Sequence, residues 1–218
     1  MGRSLKYEIP GDDPRVTPAE VADAGWEKLF ATPAAPGRGS MTLEIGFGRG
    51  EFLLAMAAAR PEARFVGIEV SFKRTLKMAR KVARARLANV RLMEARAEVA
   101  IREHFAEASL DEIWINFSDP WPKTRHAHRR LIQAPFVADL ARALRPGGHL
   151  FVATDDVPYA HQIDEVLAGE ERLENEYAPW PFLAEVSGRM QTGYEEQWRA
   201  EGRPLHFFAY RALEGHAG

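Results

Sequence analysis

The sequence has no cysteine among its 218 residues. Disulfide bonds, cysteine-ligated zinc and a cysteine nucleophile are therefore excluded. It also lacks any run of about 18 apolar residues that could cross a bilayer as a helix. Its first residues, MGRSLKYEIPGDDP, contain no apolar core typical of a signal peptide. We therefore expect a cytoplasmic protein that does not contact a membrane.

The chain also has little net charge, −2 at pH 7, but its charges are unevenly distributed. Residues 72–130 contain 14 Lys or Arg and 7 Asp or Glu, whereas residues 151–218 contain 5 and 13. This distribution predicts one basic face and one acidic region, and a basic face suits a polyanionic partner. The alternative is a solvated surface whose charges happen to be uneven.

The chain divides by composition at about residue 40. Residues 1–40 are rich in Pro and Gly, and we predict a loose N-terminal arm or lid there. Residues 41–218 are predicted to form a single domain, since 46% hydrophobic residues are enough to build a core.

Within residues 41–218, short apolar runs alternate with amphipathic stretches. The first predicted strand starts at Met41. The other predicted strands are Ala63–Val70, Asn89–Met93, Ile113–Phe117, His149–Ala153 and Leu205–Ala212. The predicted helices are Glu51–Arg60, residues 71–87, Ala97–Phe105, Arg129–Leu144 (ended by Arg145-Pro146-Gly147-Gly148) and Val157–Leu167. This order predicts an α/β fold with a Rossmann-like, doubly wound and mostly parallel sheet. Ligands of such folds bind beyond the carboxyl ends of the strands.

A glycine turn follows the first of these strands. Gly46, Gly48 and Gly50 allow close approach of a ligand to the backbone, and Glu44 precedes them. A dinucleotide site would need a third glycine where Glu51 stands, and a carboxylate there would repel a pyrophosphate. A nucleoside without phosphates and with a charged amino-acid tail, such as S-adenosylmethionine, fits better.

Glu69 ends the next strand, 19 residues after Gly50. An acid at this place can accept hydrogen bonds from both ribose hydroxyls. The glycine turn and the acid together form the pattern of an S-adenosylmethionine-dependent methyltransferase.

Two basic segments could bind RNA phosphates. The first is the predicted helix after Glu69, with Lys73 and Lys77 on one face. The second follows the loop containing Asp119 and Trp121, and it includes Arg125, Arg129 and Arg130. His126 and His128 lie in the second segment without a third ligand at a suitable spacing, so we expect no metal site.

These residues resemble the bacterial tRNA (guanine-N7)-methyltransferase family. The resemblance covers roughly residues 41–212, and the run from the Asp-Pro-Trp loop onward is its most specific part. The matching stretches are LEIGFGRG (43–50), GIEV (67–70), FSDPWPK (117–123), RHAHRRLIQ (125–133), ATD (153–155) with Tyr159, and TGYE (192–195).

The resemblance implies methyl transfer from S-adenosylmethionine to N7 of a guanine in the variable loop of tRNA. Glu44 and the glycine turn would hold the methionine part of the cofactor, Glu69 its ribose, and Arg96 and Ala97 its adenine. Asp119 is implied as the acid at the reaction centre, next to the cofactor. The implied substrate contacts are Lys123, Asp155, Thr192, Gly193, Tyr194 and Glu195.

Two positions depart from the family pattern. Ser118 stands where the family usually has proline, and Arg96 stands where it tends to have aspartate. An arginine cannot accept a hydrogen bond from the adenine amino group, so backbone groups at Arg96 and Ala97, or the carboxylate of Glu94 or Glu98, would have to replace that acid.

Other functions stay open at this point. The Ser118–Trp121 loop is also similar to that of methyltransferases acting on exocyclic amines. A small-molecule methyltransferase would leave the basic segments without a role, and Glu51 argues against a nicotinamide oxidoreductase. A non-catalytic RNA-binding module would need a vestigial cofactor site. The sequence is compatible with a monomer or a homodimer.

Overall fold

A computed structural model describes residues 7–30 and 40–214. These residues form eight strands, eight α-helices and one 3-10 helix. The chain divides into two compact units, with the division after Ala100.

The first unit contains parallel strands only. They are β1 (Arg15–Val16), β2 (Met41–Ile45), β3 (Arg64–Glu69) and β4 (Val90–Glu94), in the spatial order β1-β4-β3-β2. Every residue of β2 and β3 is buried, which explains why both strands appear in the sequence as continuous apolar runs.

Helices connect these strands. Helix α3 spans Glu51–Ala59 and α4 spans Phe72–Ala85. Leu76, Met78 and Val82 form the buried face of α4, and Met78 and Val82 pack with Leu53 and Phe65 in one core cluster. The helix ends where Arg86 adopts a left-handed conformation, with φ of 53°.

The described part of the N-terminal stretch, residues 7–30, is built onto the edge of this sheet. β1 pairs with β4, and it is followed by α1 (Pro18–Ala24) and α2 (Trp26–Leu29). Thr17 and Glu20 form a capping box at the start of α1. Trp26 and Phe30 are buried. The rest of the predicted arm, residues 1–6 and 31–39, lies outside the described residues.

The second unit combines parallel and antiparallel pairing. Its strands are β5 (Leu110–Asn116), β6 (Leu144–Thr154), β7 (Leu173–Asn175) and β8 (His206–Ala212), in the order β5-β6-β8-β7. β5 and β6 are parallel, whereas β8 is antiparallel to both β6 and β7. The helices are α5 (Ala97–His104), which spans the division between the units, α6 (Ala134–Ala143), α7 (Val157–Ala168) and α8 (Gly193–Ala200).

The predicted helix Arg129–Leu144 is wrong in its first turn. Thr124–Arg129 forms a 3-10 helix, Arg130 is extended, and α6 starts only at Ala134 with a proline in its first turn. The side-chain amide of Gln133 donates to the carbonyls of Ala127 and Arg130, which satisfies the polar groups of this break. Helix α6 ends at Ala143, one residue before the predicted end, and the segment Arg145–Gly148 already belongs to β6.

Candidate functional site

The glycine turn after β2 requires glycine because of its backbone conformation. Gly46, Gly48 and Gly50 have φ angles of 72°, 53° and 73°, a region that side chains disfavour. A Cβ on Gly46 would meet no atom within 4 Å, whereas a Cβ on Gly50 would lie 2.1 Å from the sulfur of Met78. The turn is therefore open at Gly46 and packed against the core at Gly50.

Glu69 connects this turn to the start of α4. Its side chain is only 3% exposed. Oε2 accepts a hydrogen bond from the Gly48 N–H (3.2 Å) and Oε1 from the Ser71 N–H (3.1 Å). Oε2 also accepts from Nη1 of Arg74 at 3.5 Å. A carboxylate has about four acceptor positions, so these three bonds leave capacity for a hydroxyl donor. Glu44, the residue before the last of β2, is also buried.

Arg96 stands at the start of α5 with its side chain directed to solvent. The guanidinium is 71% exposed and pairs with Oε1 of Glu98 at 3.1 Å. Ala97 is buried, and the Ala95 N–H donates to the Glu69 carbonyl. The Arg96 side chain is thus engaged with Glu98 at the surface.

The loop after β5 has an unusual backbone. Phe117 and Trp121 have φ angles of 54° and 42°, and such strain in residues other than glycine is concentrated at functional sites. Asp119 is exposed between them, and its Oδ1 accepts the Trp121 N–H at 3.1 Å. Ser118 shares a hydrogen bond with the buried hydroxyl of Tyr159 (3.3 Å), which also accepts the Ile132 N–H.

Arg130 is buried, whereas the sequence predicts that it contacts RNA phosphates. Its side chain is 7% exposed, and the guanidinium donates to the Pro120 carbonyl (2.8 Å) and to Gln162 (2.8 Å). This arginine holds the loop after β5 in place.

The other predicted phosphate contacts are exposed. Lys123 directly precedes the 3-10 helix, and Arg125 and Arg129 lie within it. The Arg129 guanidinium lies 5.0 Å from the centre of the Trp121 ring. Lys73 and Lys77 are exposed on α4. On the same helix, Arg80 and Lys81 instead donate to the carbonyls of Glu8 and Arg49.

The Thr192–Glu195 motif starts α8. Thr192 is its N-cap and accepts the Glu195 N–H at 3.0 Å. Glu195 is 1% exposed and pairs with Arg189 and Arg199. Thr192 and Glu195 thus have structural roles here, whereas the partly exposed Tyr194 stacks on Trp198 with ring centres 5.3 Å apart.

Asp155 follows β6 and is engaged by an arginine. Its Oδ2 accepts from Arg203 at 3.0 Å, and the arginine is half-exposed. Because Arg203 is half-exposed, solvent screens this ion pair and weakens it.

Comparison with known proteins relates these features to a family. A family model described as "Putative methyltransferase" matches residues 38–208. A protein of Syntrophotalea carbinolica named tRNA (guanine-N(7)-)-methyltransferase is 35% identical over 195 residues, which cover 87% of this chain and 84% of the relative. This chain belongs to the tRNA (guanine-N7)-methyltransferase family. It is therefore an enzyme of the methyltransferase class, as the sequence motifs predicted.

Further members of the tRNA (guanine-N7)-methyltransferase family match with similar identity. A relative of the same name from Ralstonia nicotianae is 41% identical over 173 residues, 78% of this chain and 67% of the relative. One from Burkholderia pseudomallei is 40% identical over 175 residues, and the match covers 79% of this chain and 64% of that relative.

Solved structures confirm the α/β fold of this family member. The 16S rRNA methyltransferase KamB is 17% identical with a TM-score of 0.59, covering 88% of this chain and 94% of KamB. The antibiotic-resistance methyltransferase Kmr is 22% identical with a TM-score of 0.55, covering 83% and 90%. At these identities the likeness concerns the fold alone.

No pattern in the sequence pointed to two polar residues near the Asp119 loop. Asn116 ends β5, and its Oδ1 accepts from Nη2 of Arg189 at 2.5 Å. Burial lowers the pKa of Arg189, while the neighbouring Glu195 opposes that shift. Arg189 lies in a stretch without apolar periodicity, 73 positions from its partner, so no local pattern could have connected them.

Within residues 7–30 and 40–214, no group of three His, Cys, Asp or Glu side chains is arranged to hold a metal ion. No helix in the same part of the chain is long and apolar enough to span a bilayer.

Proposed function

We propose that this chain transfers the methyl group of S-adenosylmethionine to N7 of a guanine in the variable loop of tRNA. The observation that carries the proposal is the buried Glu69 carboxylate hydrogen-bonded to the glycine turn. The names of the relatives supply the substrate and the atom. This reaction is consistent with the expected cytoplasmic location.

The residues of the first unit fit this cofactor. Glu69 has remaining acceptor capacity for ribose hydroxyls. Glu44 offers a negative charge for the ammonium group of the methionine part, and the open side of Gly46 allows close approach. For adenine we propose the backbone of residues 95–97, because the Arg96 side chain is turned to Glu98. When bound, S-adenosylmethionine supplies an electrophilic methyl group on a sulfonium.

The residues of the second unit would orient and stabilise the base. Guanine N7 carries a lone pair and no proton, so the attacking atom needs no general base, and positioning dominates the rate. Methylation makes the purine cationic, and the Asp119 carboxylate would favour that charge. The Trp121 N–H fixes Asp119, which could also accept from guanine N1–H and the 2-amino group.

Exposed cations would hold the tRNA backbone. We propose phosphate contacts for Lys73, Lys77, Arg125 and Arg129, and a substrate contact for Lys123. Asp155 and Tyr194 are proposed to contact the substrate, and the Asp155–Arg203 pair would then open.

The test is methyl transfer from labelled S-adenosylmethionine to unmodified tRNA transcripts with guanine or adenine in the variable loop. Aniline cleavage at 7-methylguanosine maps the product. We expect cleavage at the variable-loop guanine only. Labelling without aniline cleavage would instead indicate an exocyclic amine as the acceptor.

Asp119→Asn tests the role of the carboxylate, and Asp139→Asn is the matched control because Asp139 forms a surface pair with Arg102. We expect kcat to fall about 100-fold for Asp119→Asn and to stay unchanged for the control. Full turnover of Asp119→Asn with unchanged tRNA affinity would exclude this role.

A further inference from the structure

Asn116 carries a buried hydrogen-bond donor that the fold does not use. Asn116 is the last residue of β5, directly before the strained loop that presents Asp119. Its Nδ2 is buried and has no hydrogen-bond partner among the described residues. An unsatisfied buried donor is costly, and such groups in native proteins call for an explanation, such as a ligand that supplies the acceptor.

Arg189 fixes which end of this amide is available. The guanidinium donates to Asn116 Oδ1 at 2.5 Å, and because it has no acceptor, only the oxygen of the amide can face it. Arg189 is itself immobilised. Its side chain is 8% exposed, pairs with Glu195 and lies over the Phe207 ring at 4.7 Å. The amide is therefore held with Nδ2 directed away from Arg189.

We propose that Asn116 Nδ2 donates a hydrogen bond to O6 of the target guanine and that Arg189 is the positioning residue for this contact. The inference rests on the proposed function. The edge of guanine that carries N7 has two acceptors, N7 and O6. A donor on N7 would occupy the lone pair that must attack the methyl group, so O6 is the acceptor compatible with the reaction.

This contact selects guanine against adenine. Adenine carries an amino donor in the place of O6, and two donors facing each other would leave both unpaired. Asn116 and Asp119 would then recognise different parts of one base: the amide recognises the O6 acceptor, and the carboxylate recognises the N1–H and 2-amino donors.

The experiment reverses the polarity of residue 116. Asn116→Asp keeps the shape and the pairing with Arg189 but presents an acceptor to the base. Transcripts carry either guanine or 2,6-diaminopurine at the target position, since the latter has an amino group in the place of O6. Diaminopurine also lacks the N1 proton, so the contact at position 6 is read from the change of the guanine-to-diaminopurine ratio between variant and wild type. We measure kcat/KM for N7 methylation, and we follow S-adenosylmethionine binding by calorimetry.

For Asn116→Asp we expect kcat/KM on guanine to fall about 10- to 100-fold. We also expect the guanine-to-diaminopurine ratio to shift toward diaminopurine by at least about 10-fold. Arg189→Met frees the amide to flip, so it should shift the same ratio in the same direction by a smaller factor. Arg211→Met, which removes an exposed pair with Glu174, should leave the ratio unchanged.

Three results would overturn the inference. One is an equal loss on both transcripts for Asn116→Asp, and another is weaker binding of S-adenosylmethionine, which would place the Asn116 contact on the cofactor. The third needs no variant: the wild-type enzyme methylates the diaminopurine transcript as fast as the guanine transcript. If the wild-type enzyme does not methylate the guanine transcript at all, the proposed function fails instead.

Discussion

At the scale of single residues, the sequence revealed which side chains are charged but could not reveal which of them are buried. Arg130 and Glu195 were both predicted to contact the substrate, and both are buried in polar networks. The partners of Arg130, Pro120 and Gln162, lie 10 and 32 positions away. The glycine turn, in contrast, could be predicted, because the spacing of Gly46, Gly48 and Gly50 reports the local backbone conformation directly.

The close packing of Gly50 against Met78 predicts that a side chain at this position destabilises the fold. Gly50→Ala places a Cβ 2.1 Å from the buried Met78 sulfur and puts alanine in a left-handed conformation. Gly147→Ala is the matched control, with a φ of 74° and no atom within 4 Å of the added Cβ. In urea denaturation we expect Gly147→Ala to lower the free energy of unfolding by about 1 kcal/mol. We expect Gly50→Ala to lower it by about 1–3 kcal/mol more. Equal losses would mean that Met78 rearranges freely.

At the scale of elements, strands and helices with a long apolar pattern are predicted more accurately than very short ones. Strands β2, β3 and β4 and helices α3 and α4 lie within two residues of their predicted bounds, since each has a long apolar face or a glycine or proline at its end. β1 has two residues and β7 three, too few for any periodicity. The sequence does not predict helix α8, because Glu195 is its only buried residue and the helix therefore has no buried apolar face.

The attachment of α1 and α2 can be tested through Arg91. Its Nε donates to the Leu29 carbonyl at 2.5 Å, and its guanidinium lies 5.1 Å from the centre of the Phe30 ring. Arg91→Met should raise amide hydrogen exchange in α1 and α2 about 10-fold, with little change in β2 and β3. Arg84→Met, an exposed arginine on α4, is the control. A uniform increase throughout the first unit would show that Arg91 stabilises the unit as a whole.

At the scale of the whole molecule, the uneven charge predicts how tRNA affinity depends on salt. Lys73 and Lys77 are exposed, and each phosphate contact adds about 0.7–0.9 to the slope of log affinity against log salt concentration. The double variant Lys73→Met/Lys77→Met should therefore reduce that slope by about 1.4 to 1.8. Lys28→Met, outside this helix, should not change it. A lower affinity with an unchanged slope would contradict direct phosphate contacts.

Two buried tyrosines, of which Tyr159 supports the Asp119 loop, make the stability of the folded chain depend on pH in the alkaline range. Burial raises the pKa of Tyr159 above its ordinary value and raises the pKa of Tyr210 to about 12. An unfolded tyrosine ionises at a pH of about 10, so above that pH the unfolded chain releases protons that the folded chain retains. Folding stability therefore falls as pH rises beyond that point. Phenolate absorbance of Tyr210 that appears well below a pH of about 12 would therefore report the loss of the fold.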